Sequence, residues 1–203
     1  MSQAAAIAHD DHHYTSTGLS SWKVGFWTFI GSECLFFATL ISTYMVYKGR
    51  SIVGPYPEEI LDIPLTSVST FVLLMSSLAM VLGLDGIQRG SRKLTLIWLG
   101  AVILLGVTFL GFQVYEFNHF VHEGLTLSTN VFGSSFFVLT GFHGAHVAGG
   151  VIWLSTLWIL AARGKLNQGD SLKVEIAGLY WHFVDIVWIF LFPLLYLIGR
   201  HLH

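Results

Sequence analysis

The chain has 203 residues, of which 54% are hydrophobic and only 11% charged, whereas ordinary soluble domains carry about 25% charged residues. A chain this apolar needs a solvent that accepts apolar surface, and the lipid bilayer is that solvent. The net charge of −2 gives no reason to expect a nucleic-acid partner, and the single cysteine, Cys34, excludes an intrachain disulfide and a multi-cysteine metal site.

Five segments are apolar and long enough to cross a bilayer, since a transmembrane helix needs roughly 20 mostly apolar residues. They cover about 22–47, 65–84, 94–115 with an extension to 119, 131–162 and 175–199. The connection 51–64 holds Pro55, Pro57 and Pro64, which predicts an irregular surface loop. The predicted fold is all-α: a polytopic membrane bundle of five transmembrane helices over 22–203, preceded by a polar segment, 1–21.

Lysine and arginine residues are divided unequally between the two sides of this predicted bundle. One side has seven and the other three: Lys23, Arg89, Arg92, Lys93, Arg163, Lys165 and Lys173 against Lys48, Arg50 and Arg200. Short loops rich in these residues face the cytoplasm. We therefore expect a multi-pass protein of a bacterial-type inner or plasma membrane, with its N-terminus in the cytoplasm and its C-terminus outside.

The fourth predicted helix has one face of small residues, Gly141, Ala145 and Gly149. Small residues at this spacing let two helices approach closely in lipid, so we expect this face to lie in a helix–helix contact. Aromatic residues towards the helix ends favour a position at the membrane–water interface first and a binding role second. These are Trp22, Trp27, Tyr44, Tyr47, Trp181 and Tyr196.

Ionisable residues at membrane depth are candidates for function, because a charge in hydrocarbon costs on the order of 3 kcal/mol or more. Glu33 lies midway along the first predicted helix. Its carboxyl is interpreted either as a group that handles protons or contacts lipid, or as a hydrogen-bonded group that fixes helix packing.

Three further pairs of polar residues are spaced three apart, so each pair shares a helix face: Glu116–His119, His143–His146 and His182–Asp185. A di-iron bundle uses Glu-x-x-His pairs on facing helices, and the first pair matches that spacing. The pairs lie at different depths, however, which makes a common ion geometrically difficult. Hydrogen bonds that lock helices together are the favoured interpretation, with a metal site as the alternative.

Several runs containing these residues also match a known family. They are SECLFF at 32–37, Q-x-x-E at 113–116, SFFV at 135–138, TGFHGAHV at 140–147 and YWHFVDIVW at 180–188. Together, and in this order, they resemble subunit III of the haem–copper respiratory oxidases, the cytochrome c and quinol oxidases. The resemblance covers nearly the whole chain, from 22 to 199.

The resemblance implies a subunit that holds no catalytic residue, metal or redox cofactor itself. In that family, haem and copper belong to subunits I and II of a complex that reduces oxygen to water and translocates protons. Subunit III stabilises the catalytic core, holds phospholipid and sustains proton uptake. The expected partners are therefore subunits I and II and membrane phospholipids, with a respiratory supercomplex as a further candidate.

The resemblance also assigns roles to individual residues. Glu33 matches the family's carbodiimide-reactive carboxylate. Lys23 and Arg163, at predicted cytoplasmic helix ends, are the candidates for binding anionic lipid headgroups. A hydrogen bond between Glu33 and His146 would join the first and fourth helices. The candidates for structural hydrogen bonds are Glu116, His143, His146, His182 and Asp185.

Many family members have seven helices, with two before the helix of the buried glutamate, so this chain resembles a five-helix form. The phospholipid cleft of the long form is expected to be absent here or completed by another subunit. Other functions remain open: the accessory membrane protein of nitric oxide reductases, a lone proton or ion transporter built around Glu33 and Asp185, and a free-standing di-metal enzyme. The last would use Glu33, Glu116, His119, His143 and His146.

Overall fold

A computed structural model describes residues 20–51, 54 and 61–197, which are almost entirely helical. The helices are α1 (Ser21–Tyr47), α2 (Ile63–Gln88), α3 (Arg92–His122), α4 (Val131–Ala162) and α5 (Ser171–Phe192). A 3-10 turn, Gln168–Asp170, precedes α5, and a π-helical turn, Pro193–Leu197, follows it. Five helical segments are long and apolar enough to cross a membrane. The prediction of an all-α fold with five transmembrane helices is confirmed.

The predicted helix boundaries are correct for α4 and too short for α2 and α3. Helix α2 begins earlier than predicted because the Asp62 side chain accepts a hydrogen bond from the Leu65 N–H at 3.2 Å. Pro64 lies in the first turn of α2, where its missing N–H needs no partner, and not in the loop. Helix α3 continues to His122. Pro55, Pro57, residues 1–19 of the predicted polar segment and the predicted end of the fifth helix lie outside the described residues.

The first four helices are each followed by a glycine with positive φ: Gly49, Gly90, Gly124 and Gly164. After α4, the Gly164 N–H donates to the carbonyl of Ala161 at 3.0 Å and the Lys165 N–H to that of Leu160 at 2.9 Å. These two bonds satisfy the last carbonyls of the helix. They require a left-handed backbone conformation at residue 164, which glycine adopts without strain. Within the described residues, the short turn after α2 and the loop after α3 place α2, α3 and α4 side by side in chain order.

The chain divides into two compact units, Met1–Phe36 and Phe37–His203. In the first, the described part is the beginning of α1, where the rings of Phe26 and Phe29 lie 5.6 Å apart. In the second, α2 packs against α3 and α5, and α4 packs against the same two helices. The end of α1 joins this bundle through aromatic rings: Phe37 lies 5.0 Å from His146, and Tyr44 lies 6.2 Å from Phe132.

The predicted small-residue face of α4 is mostly exposed in the described chain, and its one approach to another helix is at Gly149, where a Cβ would lie 3.6 Å from the Tyr180 hydroxyl. A Cβ added at Gly141 would meet no atom within 4 Å, and Ala145 and Gly149 are exposed. The close contacts are made instead by neighbouring glycines. A Cβ at Gly150 would lie 2.8 Å from the Trp181 ring. The closest helix contacts of α4 in the described chain thus lie beside the predicted face, whose packing against another helix stays a prediction.

Three of the six predicted interfacial anchors lie in the core: Tyr44, Trp181 and Tyr196 are at most 2% exposed. Two of their polar tips find partners inside the bundle. The Trp181 indole donates to Ser76 Oγ at 2.9 Å, and the Tyr196 hydroxyl donates to Glu116 at 3.1 Å. A buried ring whose polar tip is satisfied does not need the interface. Trp22, Trp27 and Tyr47 are exposed, as an anchor requires.

Several exposed hydroxyls on the helices bond to the backbone of the preceding turn. Thr28 donates to the carbonyl of Val24, Thr108 to that of Leu104, and Thr156 to that of Ile152, at 2.8 to 3.1 Å. Threonine and serine side chains have this option within their own helix. These hydroxyls therefore have a partner without a second helix.

Candidate functional site

A row of side-chain hydrogen bonds runs along the contact between α2 and α5, here named the α2–α5 seam. Its pairs are Thr70 with Trp188, Ser76 with Trp181, and Ser77 with His182, at 2.9, 2.9 and 2.6 Å. The two tryptophans lie two helical turns apart, so both indoles project from the same face of α5. Such bonds contribute on average about 0.6 kcal/mol each within a membrane. Their main consequence is to fix the register of α5 against α2.

The predicted pair His182 and Asp185 lies on this seam. His182 is half-buried and shares its bond with the hydroxyl of Ser77. Asp185 is buried, and the Ser77 hydroxyl is near enough to interact with its carboxyl. Neither Asp185 oxygen meets hydrogen-bonding geometry with another described group. The pair thus converges on one hydroxyl of α2.

The two histidines of the second predicted pair, His143 and His146, make different kinds of contact. His143 is fully buried, and within the described part of the chain neither of its ring nitrogens has a hydrogen-bond partner. Its ring stacks on Trp188 at 4.8 Å and meets the edge of Phe109 at 5.9 Å. His146 Nδ1 instead donates to the carbonyl of Phe142 at 2.7 Å. His143 therefore joins helices through ring contacts, in place of the expected hydrogen bond.

Glu116 is the centre of a third polar group, here named the Glu116 cluster: Glu116, Thr66, Tyr196 and the backbone carbonyl of Asp62. Glu116 is only 6% exposed. Glu116 Oε1 lies 2.6 Å from the Thr66 hydroxyl and 3.1 Å from the Tyr196 hydroxyl. The cluster joins α3 to the first turn of α2 and to the π-helical turn after α5. Its partner in the predicted pair, His119, is exposed.

Gln113, one turn before Glu116, explains the Q-x-x-E spacing. Its side-chain N–H donates to the carbonyl of Thr140 in α4 at 2.8 Å. The amide lies so close to the α4 backbone that a Cβ at Gly144 would be 2.5 Å from Gln113 Oε1. The two polar side chains of α3 thus bind two different neighbours, with Gln113 on α4 and Glu116 on α2.

The end of the bundle that holds the turn 89–91 and the loop 163–167 is here named the basic end. Arg92 Nε donates to the carbonyl of Ala161 at 2.9 Å, and a second guanidinium nitrogen donates to that of Ala162. Gln168 donates to the carbonyl of Gln88 at 2.6 Å. Asp85 forms an ion pair with Arg89, at 2.8 Å. A polar cleft of about 390 Å³ lies between these segments.

The two predicted lipid-headgroup residues lie at helix ends. Arg163 is the exposed C-cap residue of α4, and Lys23 lies in the first turn of α1. Glu33 lies midway along α1, in the unit that ends at Phe36. Among the described residues, no three His, Cys, Asp or Glu side chains come together as a group that could hold a metal ion.

Comparison with known proteins identifies the family. The model of the family described as "Cytochrome c oxidase subunit III" matches residues 3–200. The chain belongs to the cytochrome c oxidase subunit III family. It is thus a subunit III of the haem–copper oxidases, and the resemblance found in the sequence motifs is confirmed.

Relatives in the subunit III family include proteins of both oxidase classes. The cytochrome c oxidase subunit 3 of Bacillus sp. (strain PS3) is 43% identical over 176 residues, which cover 87% of this chain and 85% of the relative. The quinol oxidase subunit 3 of Bacillus subtilis (strain 168) is 43% identical over 176 residues, or 87% and 86% of the two chains. The probable quinol oxidase subunit 3 of Staphylococcus aureus (strain USA300) is 38% identical, with 87% and 89% covered.

In this subunit III, sequence reasoning identified one side of the interhelical bonds and missed the other. Glu116 and His182 were singled out, but their hydroxyl partners on α2, Thr66 and Ser77, were not. The hydroxyls of Thr70 and Ser76, which accept from the Trp188 and Trp181 indoles, were missed as well. The spacing of hydroxyl residues in the α2 sequence could have indicated some of them. Positions 66, 70 and 77 recur at helical spacing, so three hydroxyls share one face of the helix.

Proposed function

We propose that this chain is a non-redox subunit of a proton-pumping haem–copper oxidase, which reduces oxygen to water in aerobic respiration. The observation that carries the proposal is the family match over residues 3–200. In this proposal, subunits I and II hold the haem and copper, and the chain assembles with them and with membrane phospholipid. A respiratory supercomplex is a further candidate partner. The chain itself supplies no catalytic group.

Stabilisation of the catalytic core is the first part of this role. Large apolar side chains are exposed on several helices, among them Leu104 of α3, Ile152 of α4 and Phe190 of α5. Such a surface needs lipid or the helices of another subunit as cover. The interhelical bonds of Glu116, Gln113 and the α2–α5 seam hold that surface in one shape. This supports a subunit that offers a rigid apolar face to the complex.

Lipid binding is the second part of the role, and Lys23 and Arg163 are its proposed headgroup residues. Arg163 is exposed at the basic end, where a headgroup can reach it. Basic residues near a membrane surface contribute about 1 kcal/mol each to anionic-lipid binding, which is roughly a five-fold change in affinity.

Arg163→Glu is therefore expected to lower the anionic phospholipid that co-purifies with the complex about five-fold or more, because it reverses a charge. Lipid extraction and mass spectrometry of the purified complex measure this. Lys165→Glu, two residues away in the same exposed loop, is the matched control and should lower it less. Equal losses in both variants would mean that the loop acts by its total charge, not through Arg163.

Support of proton uptake is the third part, and Glu33 is its proposed carboxyl. A hydrogen bond from His146 is proposed to hold Glu33 in place. His146→Ala should then change the reaction of Glu33 with a carbodiimide, measured by mass spectrometry of the labelled peptide. Unchanged labelling together with unchanged stability of the complex would contradict the bond.

The proposed function is tested by affinity purification of the tagged chain from its own membranes in mild detergent. We expect the eluate to contain a larger many-helix partner, copper, and a haem signal in the reduced-minus-oxidised visible spectrum. Harsher detergent that strips the chain free should remove the haem and copper with the partner.

An untagged strain carried through the same purification provides the background. Metal that stays on the isolated chain at one or two ions per polypeptide would overturn the proposal. The polar pairs of α3 and α4 would then belong to a di-metal enzyme.

A further inference from the structure

The Thr66 hydroxyl in the Glu116 cluster has two short contacts. It lies 2.6 Å from Glu116 Oε1 and 2.7 Å from the backbone carbonyl oxygen of Asp62. Both distances are those of full O–H···O hydrogen bonds. A hydroxyl has only one proton to donate, and a carbonyl has none. Thr66 can therefore donate to only one of these two oxygens.

A proton on Glu116 supplies the second hydrogen that the two short contacts of Thr66 require. An ionised carboxylate only accepts, so it would leave one of the two short contacts without a hydrogen between its oxygens. A protonated Glu116 donates to Thr66, and Thr66 donates to the Asp62 carbonyl. The Tyr196 hydroxyl donates to Glu116 at 3.1 Å in either state. With the extra proton, each contact in the cluster is a hydrogen bond.

The charges around Glu116 also favour its protonated form. In the described part of the chain, no lysine or arginine forms an ion pair with Glu116. The ionisable groups that act on it or on Tyr196 are the Asp62 carboxylate of α2, the exposed His119 of α3 and the phenol of Tyr44 from α1. A buried carboxylate without a cation in contact costs several kcal/mol, and the charge of Asp62 adds to that cost.

We propose that Glu116 is a proton-binding site: in the folded chain it holds a proton as a neutral carboxylic acid, and this proton ties α3 to the first turn of α2. The site lies at the end of the bundle opposite the basic end, and it is distinct from Glu33. Its ligand is a proton from the aqueous phase at that end. Loss of the proton removes the donor to Thr66 and loosens the start of α2.

Infrared spectroscopy of the full chain in lipid nanodiscs at neutral pH tests the proposal. A neutral carboxylic acid has a carbonyl stretch above the amide band, and this stretch moves to lower frequency in D2O. We expect Glu116→Gln to remove one such band. With its NH2 group in the place of Oε1, the glutamine amide can donate to Thr66 but cannot accept from Tyr196, which contacts the same atom. This variant should therefore keep the helical circular dichroism of the parent chain, with a slightly lower thermal midpoint.

Asp185→Asn is the matched control, because among the described residues Asp185 is the other buried carboxyl. It should leave the Glu116 band in place. Thr66→Val should keep the band but shift its frequency, because the acid loses its acceptor; this result supports the proposal even where Glu116→Gln folds poorly. The proposal is overturned if Glu116→Gln removes a carboxylate band instead, if Asp185→Asn removes the same band, or if Thr66→Val leaves its frequency unchanged.

Discussion

Gly150→Val is expected to prevent the folded chain from accumulating in the membrane. A Cβ at Gly150 would lie 2.8 Å from the ring of Trp181, closer than real side chains approach. Gly106 of α3 is equally close to this ring, since a Cβ there would lie 2.7 Å from it. The indole thus packs directly on glycines of both α3 and α4, and displacing it also breaks its bond to Ser76. Overpacking of this kind costs about 3 kcal/mol or more.

Gly141→Val is the matched control, since it places the same side chain on the same helix where a Cβ meets nothing within 4 Å. The measurements are the amount of folded chain in detergent extracts and its thermal midpoint. We expect Gly141→Val to resemble the parent chain in both. Equal behaviour of the two variants would show that Gly150 is needed for helix flexibility or membrane insertion, not for contact with Trp181.

Trp188→Ala is expected to lower the free energy of unfolding by about 3 to 5 kcal/mol, the usual cost of removing a large buried ring. Trp188 touches three helices: its indole donates to Thr70 of α2, and its ring contacts Phe109 of α3 at 5.0 Å and stacks on His143 of α4. Its loss leaves a cavity beside a fully buried histidine. The measurement is unfolding of the purified chain in a denaturing detergent.

Two further variants separate the contributions of Trp188. Trp188→Phe keeps most of the ring and loses only the bond to Thr70, so it should cost roughly 0.6 to 1.7 kcal/mol plus a small packing loss. Trp158→Ala removes an indole that also bonds between helices, to the carbonyl of Leu96, but Trp158 is 38% exposed. Its loss should cost less. If Trp188→Phe proves as harmful as Trp188→Ala, the hydrogen bond, and not the ring, determines stability.

The number of helices could be predicted because long apolar runs have few alternatives in lipid. The α4 bounds were also predictable: Asn130 caps the first turn, and Gly164 ends the helix. The end of α3 was placed too early because Glu116 and His119 look like the start of a polar loop. In the folded chain Glu116 is buried with partners from α2 and from the π-helical turn after α5, and no property of the local sequence indicates such partners.

The candidate site could be predicted only in part, for a related reason. Serine and threonine can bond their own helix or a neighbour, so the sequence does not show which of them meets Glu116 or His182. Close glycine contacts depend on the residue that a neighbouring helix brings. Gly150 lies against Trp181 and Gly141 against nothing, although both are glycines of one helix. The lipid role of Lys23 and Arg163 and the role of Glu33 stay predictions.

The hydroxyls of Thr28, Thr108 and Thr156, turned back onto their own helices, change what the bilayer meets. Their polar atoms are already engaged, so acyl chains contact mainly their methyl groups. By residue type, the lipid-facing surface of this protein is moderately polar. By the atoms that lipid contacts, the same surface is closer to hydrocarbon. Hydropathy scales that score residues one at a time therefore underestimate how readily these helices partition into the membrane.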